Sequence, residues 1–310
     1  MGICLALVSQ KGGVGKTTLS ANLAAAFADL RFRTLLVEVD PQGSLIQCFG
    51  LDRFDLHEGL FGCVTSESPP RSGVETKLAD NLDLLPANVW SHEEEGLYLE
   101  RLSERPGLLR DLLGSALTRY DYLVLDCPPA LGPLTRAALA AADRYLVPIQ
   151  AESMNLSNLS RLERLAGEVR TDLNPELVRE GYVVTMADTR TRHANTIIEK
   201  LSREFPRDLL QTIIPRSIRI AEDVSRGRPT VNAGKSRAGA AFQSLAEEIL
   251  SRHSRERAGR EAEENPRVPA DDEADWDRVL DEADRRDAGE RVTVPRNGAY
   301  AGSGDSWDLD

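Results

Sequence analysis

The chain has no long hydrophobic run, little histidine, and four cysteines without a repeating spacing. None of its apolar runs reaches the roughly 18–20 residues that a membrane-spanning helix needs. The first apolar run is six residues long and leads straight into a glycine-rich loop, so no secretory signal is expected. Cys4, Cys48, Cys63 and Cys127 show no C-x-x-C pair, which argues against an iron–sulfur or zinc centre and against a disulfide framework. Cys4 and Cys127 fall on or beside expected core strands, where packing is the simpler role. His57, His92, His193 and His253 are scattered and form no ligand pattern. No internal repeat is present.

What the chain does have is a phosphate-binding loop, Lys11-Gly12-Gly13-Val14-Gly15-Lys16-Thr17-Thr18. The general pattern G-x-x-x-x-G-K-[ST] calls for glycine at position 10, which is Gln10 here; the glycines sit inside the loop and Lys11 leads it. Ile3–Val8 precedes it as an apolar strand. Leu19, Leu23, Ala26, Phe27 and Leu30 follow at helical spacing. Strand, loop and helix are the context this motif requires. Glycines let backbone N–H groups approach phosphate, and the helix N-terminus adds partial positive charge. Gly12, Gly13, Val14, Gly15, Lys16, Thr17 and Thr18 are therefore the expected nucleotide contacts. Lys16 would reach the β/γ-phosphates and Thr17 would ligate Mg²⁺. Lys11 suggests a further phosphate contact, within the chain or across a dimer.

Two further strands end in carboxylates. Leu35–Val39 leads to Asp40-Pro41, and Tyr122–Leu125 leads to Asp126-Cys127-Pro128. Ligands of an open parallel sheet bind beyond the carboxyl ends of its strands. Asp40 would thus lie beside Lys16 and Thr17, to orient an attacking water or hold the Mg²⁺ shell. Asp126 would bind Mg²⁺ through water.

Together these motifs resemble the ParA/MinD group of deviant Walker ATPases, and more closely the ParA/Soj-type partition ATPases. Asp126–Gly132 (DCPPALG) is similar to the family's D-C-P-P-S-L-G, and Val147–Glu152 (VPIQAE) to its V-P-x-Q-x-E. Thr185–Thr191 (TMADTRT) resembles T-M-x-D-x-R-T, and Ile214–Glu222 (IPRSIRIAE) resembles I-P-R-x-x-R-x-x-E. The likeness covers roughly residues 1–250 in the correct order. It implies weak ATP hydrolysis to ADP and phosphate, with Lys11, Lys16 and Asp40 as the catalytic residues. It also implies a homodimer closed by ATP, each Lys11 reaching the other subunit's nucleotide. The dimer would bind DNA without sequence specificity until a ParB-like partner or adaptor stimulates hydrolysis. Chromosome, plasmid and protein-complex cargoes are served by the same motifs. Thr185, Met186 and Pro215 would flank adenine, or else pack at strand ends. Arg190 and Arg219 align with arginines implied in DNA contact, with Arg216 beside them. The expected location is cytoplasmic and nucleoid-associated.

The chain departs from the family at Glu38, where aspartate is usual, at Ala137 in place of Asn, and at Asp223-Val224 in place of Ala-Pro. No helix-turn-helix segment precedes the first strand, so autorepression at an operator is not expected.

Strand–helix alternation implies a doubly wound, mostly parallel α/β sheet with helices on both faces. Further strands are expected at 82–85, 145–149, 182–186 and 212–214, and helices at 108–117 and 156–169. Ser66–Gly73 reads as a loop. One ATPase domain is expected over 1–253, followed by an acidic, largely disordered tail over 254–310. The tail holds seventeen acids and nine arginines, −8 of the net −12, which leaves −4 for residues 1–253. Within it Trp276, Val279, Leu280 and Ala283 share a helical face, which suggests a short helix near 275–285. That helix would dock a partner or have no role. Arg190, Arg192, Arg216, Arg219, Arg226, Arg228, Lys235 and Arg237 form a basic concentration suited to salt-sensitive backbone contact, or to a solvated face paired with Glu222 and Asp223.

Two other functional classes are weaker. A MinD-like membrane-associated regulator of cell division needs an amphipathic C-terminal helix. Here Ala240, Phe242, Leu245, Ala246, Ile249 and Leu250 read as a core-docking stripe that stops by Leu250. Acids at Glu261, Glu263 and Glu264 follow Arg252, Arg255, Arg257 and Arg260, so no stable membrane association is expected. A metal-cluster relative, such as an iron-protein reductase or Mrp-type scaffold, lacks its paired cysteines.

Overall fold

The computed structural model describes residues 2–56, 58–70, 75–151 and 156–264. Its strands are β1 (Ile3–Leu7), β2 (Thr34–Glu38), β3 (Thr76–Ala79), β4 (Leu82–Leu85), β5 (Tyr122–Asp126), β6 (Arg144–Gln150), β7 (Val178–Ala187) and β8 (Leu209–Pro215). Its helices are α1 (Lys16–Asp29), α2 (Leu45–Cys48), α3 (Leu60–Ser66), α4 (His92–Glu104), α5 (Leu108–Leu113), α6 (Pro133–Ala141), α7 (Leu156–Asp172), α8 (Arg192–Glu204), α9 (Ile218–Ser225) and α10 (Arg237–Glu264).

The strands form one sheet in the order β3-β4-β2-β5-β1-β6-β7-β8. Every pairing is parallel except β3 with β4. This is the expected doubly wound α/β arrangement. The central strands β1, β2 and β5 are short and largely apolar because both of their faces are buried. On β1, Cys4 and Ala6 pack into one core layer and Leu5 and Leu7 into the other. The first layer lies under α3 to α7, the second under α1, α2 and α10. Successive side chains of a strand point to opposite faces, so one five-residue strand feeds both layers.

Parallel register aligns the strand ends that matter. Leu7 pairs with Asp126 across β1 and β5, and Glu38 pairs with Asp126 across β2 and β5. The loop after β1, the end of β5 and the end of β2 therefore meet at one edge of the sheet.

The expected strands are all present, several of them longer. β3 is an addition: its Thr-Lys-Leu-Ala alternates as a half-buried edge strand, turned back onto β4 at Asn81, which has φ of 62°. The expected helix over 108–117 is shorter. α5 ends at Leu113, and a separate 3₁₀ turn follows at Ala116–Thr118. α7 extends to Asp172.

The chain divides into a unit of Met1–Arg255 and a second of Glu256–Asp310, of which the described part is the last stretch of α10, to Glu264. α10 runs unbroken through the expected boundary at 253/254. Its stripe of Phe242, Leu245, Ala246 and Ile249 is fully buried in the core, as a docked helix requires. The expected tail beyond Glu264, with its short helix near 275–285, lies outside the described residues.

Candidate functional site

The loop between β1 and α1 owes its shape to two left-handed glycines, Gly13 (φ 74°) and Gly15 (φ 80°). Gly15 is the N-cap of α1, which has no side-chain cap and no acid in its first turn. The first N–H groups of a helix have no intrahelical partners. Left uncapped behind a glycine loop, they form a ready anion site.

Lys16 lies just inside α1 and is almost fully buried, with Nζ 3.9 Å from Asp126 Oδ1. Asp126 is wholly buried; its Oδ1 accepts from Ser20 Oγ at 2.9 Å, and Thr17 also hydrogen-bonds its side chain. Burial pushes the Asp126 carboxyl above its ordinary range, while Lys16, Thr17 and Ser20 pull it back. Its second oxygen, Oδ2, is buried without a partner. An orphaned carboxylate oxygen beside a lysine, a threonine hydroxyl and an uncapped helix start is what a water-ligated Mg²⁺ next to phosphate requires. Among the described residues no set of three His, Cys, Asp or Glu side chains could cage a metal alone. The donor set thus fits an ion held mainly through water and phosphate.

Asp40 follows the end of β2 after one residue, Val39. Its N–H donates to the Asp126 carbonyl at 3.3 Å, and its Oδ1 accepts from Gln42 N at 3.0 Å. The expected set of Lys16, Thr17, Asp40 and Asp126 is therefore brought together. Lys11 Nζ donates to Gln150 Oε1 at 3.0 Å, at the end of β6.

Glu38 behaves differently from the aspartate it replaces. It is buried, and its two oxygens accept from Leu45 N (2.6 Å), at the start of α2, and Ala87 N (3.2 Å). Burial pushes its carboxyl up to about 7, with Asp126 and Asp40 adding to the shift and the two backbone bonds opposing it. The negative charge that glutamate keeps at this position is only partly present at neutral pH.

Thr185 and Met186 underpin the loop. Thr185 Oγ1 donates to the Val14 carbonyl at 2.9 Å. A Cβ built on Gly15 would lie 3.2 Å from Met186 Cε, and Met186 itself has a φ of 53°. Pro215 instead lines a cavity of about 280 Å³ with Asp188, Arg190, Arg216 and Arg237. Arg190 and Arg216 thus share one opening. Arg190 is largely exposed, and its Nε and Nη2 each donate to Asp188 at 2.8 Å, holding that carboxyl down at about 2. Arg219 is elsewhere, on α9, paired with Asp223 at 2.9 Å.

Two contributors carried no signal of their own in the sequence. Ser20 lies four residues after Lys16 on α1, and that spacing alone places both on one helix face. Gln150 belongs to a quoted motif, but only the β1–β6 pairing shows that it meets Lys11.

Residues 3–179 match the family described as AAA domain. The sporulation initiation inhibitor protein Soj of Bacillus subtilis is 35% identical over 252 residues, covering 81% of this chain and 99% of Soj. The chromosome partitioning protein ParA of Myxococcus xanthus is 34% identical over 255 residues, covering 81% of this chain and 89% of that protein. A crystal structure of cobyrinic acid a,c-diamide synthase from Mycobacterium smegmatis, with bound ADP and magnesium, superposes with a TM-score of 0.69 at 29% identity. It covers 81% of this chain and 94% of the other. A leading Lys11, a buried Lys16–Asp126 pair, and relatives matched over almost their whole length agree: this chain belongs to the ParA/MinD-type partition ATPases of the AAA-domain family.

Proposed function

We propose that this chain is an ATP-dependent dimerising ATPase that binds DNA non-specifically and positions a cargo through a ParB-like partner or adaptor. The observation that carries the reading is that the two lysines of one loop have different partners. Lys16 is committed to the interior beside Asp126, while Lys11 sits on Gln150 at the loop's front. A lysine so placed is suited to a phosphate that the subunit's own Lys16 does not neutralise, as in a nucleotide sandwich between two copies.

In hydrolysis, water attacks the γ-phosphorus of ATP and the bond to the β-phosphate oxygen breaks, leaving ADP and phosphate. The uncapped start of α1 and the N–H groups of Gly12 to Thr18 cradle the phosphates. Lys16 neutralises the β/γ oxygens. Mg²⁺, when bound, spreads the developing charge; Thr17, with Asp126 and Asp40 acting through water, is the group suited to hold it. Asp40 orients the attacking water or holds that shell. Arg190, Arg216 and Arg219 supply positive charge for DNA backbone, and the docked face of α10 leaves its apolar stripe unavailable to a lipid surface. Nucleoid association and stimulation of weak basal turnover by a partner follow from this reading.

The test is binding to random-sequence duplex DNA with ATP, with ADP and without nucleotide, at low and moderate salt. Binding in ATP alone, weakening with salt, is the expected result. Absence of binding in every state would overturn the DNA-linked part of the proposal.

A further inference from the structure

Asp223 is a buried carboxylate surrounded by arginines, and the nucleotide chemistry does not use it. It lies on α9 with no exposed surface. Arg219 Nε donates to its Oδ2 at 2.9 Å, Arg228 Nη2 to its Oδ1 at 3.5 Å, and Arg226 Nη1 stands 3.9 Å from Oδ1. The Asp223 carbonyl accepts from the N–H groups of Arg226 and Arg228, both at 3.1 Å. Gly227 between them has a φ of 66°, which turns the chain so that both arginines flank one carboxylate.

A carboxylate without partners would be costly at full burial. Three guanidiniums compensate it, yet one carboxylate cannot occupy five N–H donors on each of them. The side chains of Arg219, Arg226 and Arg228 stay 40%, 53% and 45% exposed. Each therefore keeps part of its fork open to solvent; Arg219 and Arg228 are held from below by Asp223, and Arg226 Nη1 stands at ion-pair distance from both Glu222 (3.8 Å) and Asp223. Arg219 is fixed twice, since its Nη2 also donates to the Ala233 carbonyl at 2.8 Å.

The segment is also anchored to the nucleotide side of the fold. Val231 N donates to Asn22 Oδ1 at 3.0 Å and Asn232 Nδ2 to Asp29 Oδ2 at 2.7 Å, both on α1. A Cβ on Gly227 would fall 2.4 Å from the Cα of Gly50. Gly50 closes the segment that begins at Leu45, whose N–H is held by Glu38.

We propose that Asp223 is a positioning residue that assembles Arg219, Arg226 and Arg228 into one face for the phosphate backbone of duplex DNA. The inference rests on the DNA-binding reading above. It makes a prediction opposite in sign to charge counting. Removing a carboxylate adds one positive charge, so charge alone predicts tighter DNA binding; loss of positioning predicts weaker binding.

The experiment measures ATP-state binding of the full chain to random-sequence duplex by fluorescence anisotropy over a salt series, for wild type, Asp223→Ala and Asp223→Asn. Basal ATP hydrolysis without DNA is measured alongside. Asp223→Ala should bind about ten-fold more weakly, with the slope of log K against log salt shallower by roughly 0.9 for each DNA phosphate no longer neutralised. Basal hydrolysis should be unchanged. Asp223→Asn, which keeps one acceptor oxygen for Arg219, should fall between the two and carries the test if the alanine variant does not fold. Equal or tighter DNA binding by the variants, with an unchanged salt slope, overturns the role of Asp223 alone. No binding by wild type in any nucleotide state overturns the DNA reading, and this inference with it.

Discussion

Replacing Glu38 with glutamine should make the nucleotide-free protein gain stability relative to wild type as pH rises. The folded carboxyl ionises at about 7 against 4.5 for the free group. At about 1.36 kcal/mol per unit, that difference corresponds to roughly 3 kcal/mol. The sign follows from linkage. Below 4.5 the carboxyl is protonated in both folded and unfolded chains, and the contribution to stability is intact. Between 4.5 and 7 the unfolded chain has released the proton and the folded chain has not, so stability falls as pH rises and is lost above 7. Glutamine is close in shape to the protonated acid, but its one oxygen can accept from only one of Leu45 N and Ala87 N and its NH2 faces the other, a pH-independent cost of about 1–3 kcal/mol. Relative to wild type the variant should therefore gain up to about 3 kcal/mol as pH rises from below 4.5 to above 8. For a domain of this size that is a gain of roughly 6–12 °C in melting temperature. Thermal unfolding followed by circular dichroism from pH 5 to pH 9, without nucleotide, checks it. A wild-type-minus-variant difference that stays constant over that range would refute a Glu38 that titrates near neutrality.

Asp40→Ala should still bind ATP but hydrolyse it at least about ten-fold more slowly, leaving an ATP-trapped dimer visible by gel filtration. Phosphate release at the wild-type rate would remove Asp40 from the reaction. Ser20→Ala deletes the 2.9 Å bond that orients Asp126. Removing such a support behind a metal-linked group should weaken Mg²⁺-dependent binding of a fluorescent ATP analogue by about ten-fold or more. An unchanged Mg²⁺ titration would show that Thr17 and Lys16 hold Asp126 unaided. Gly227→Ala forces alanine to a φ of 66° and its Cβ to within 2.4 Å of Gly50 Cα. It should cost about 1–3 kcal/mol from the backbone alone, and more from the clash, read as a lower melting temperature.

The phosphate loop, its helix and the two strand-end aspartates are legible along the chain. These depend on neighbours in the chain: glycines where backbone must turn left-handed, a helix at the next residue, and apolar runs long enough for one buried strand. The core role of α10 was legible for the same reason, since its stripe repeats at helical spacing. Features that join residues far apart in the chain emerge only in the fold. β3 was missed because an edge strand is half polar and takes its shape from pairing with β4. Glu38 read only as a departure from the family's aspartate, and burial, with Asp126 and Asp40 beside it, moves its ionisation to near neutrality. Thr185 read equally as a base contact or as packing, and the fold sets it under Val14. Asp223 stood out as a departure from a family pattern and as one of two acids that could pair with a solvated basic face. Its burial under Arg219, Arg226 and Arg228 arises from a helical turn, a left-handed glycine and the approach of Gly50, 177 residues earlier in the chain than Gly227. Motifs fix chemistry that is local along the backbone. Charge state and the grouping of arginines are set by which distant atoms exclude water from them.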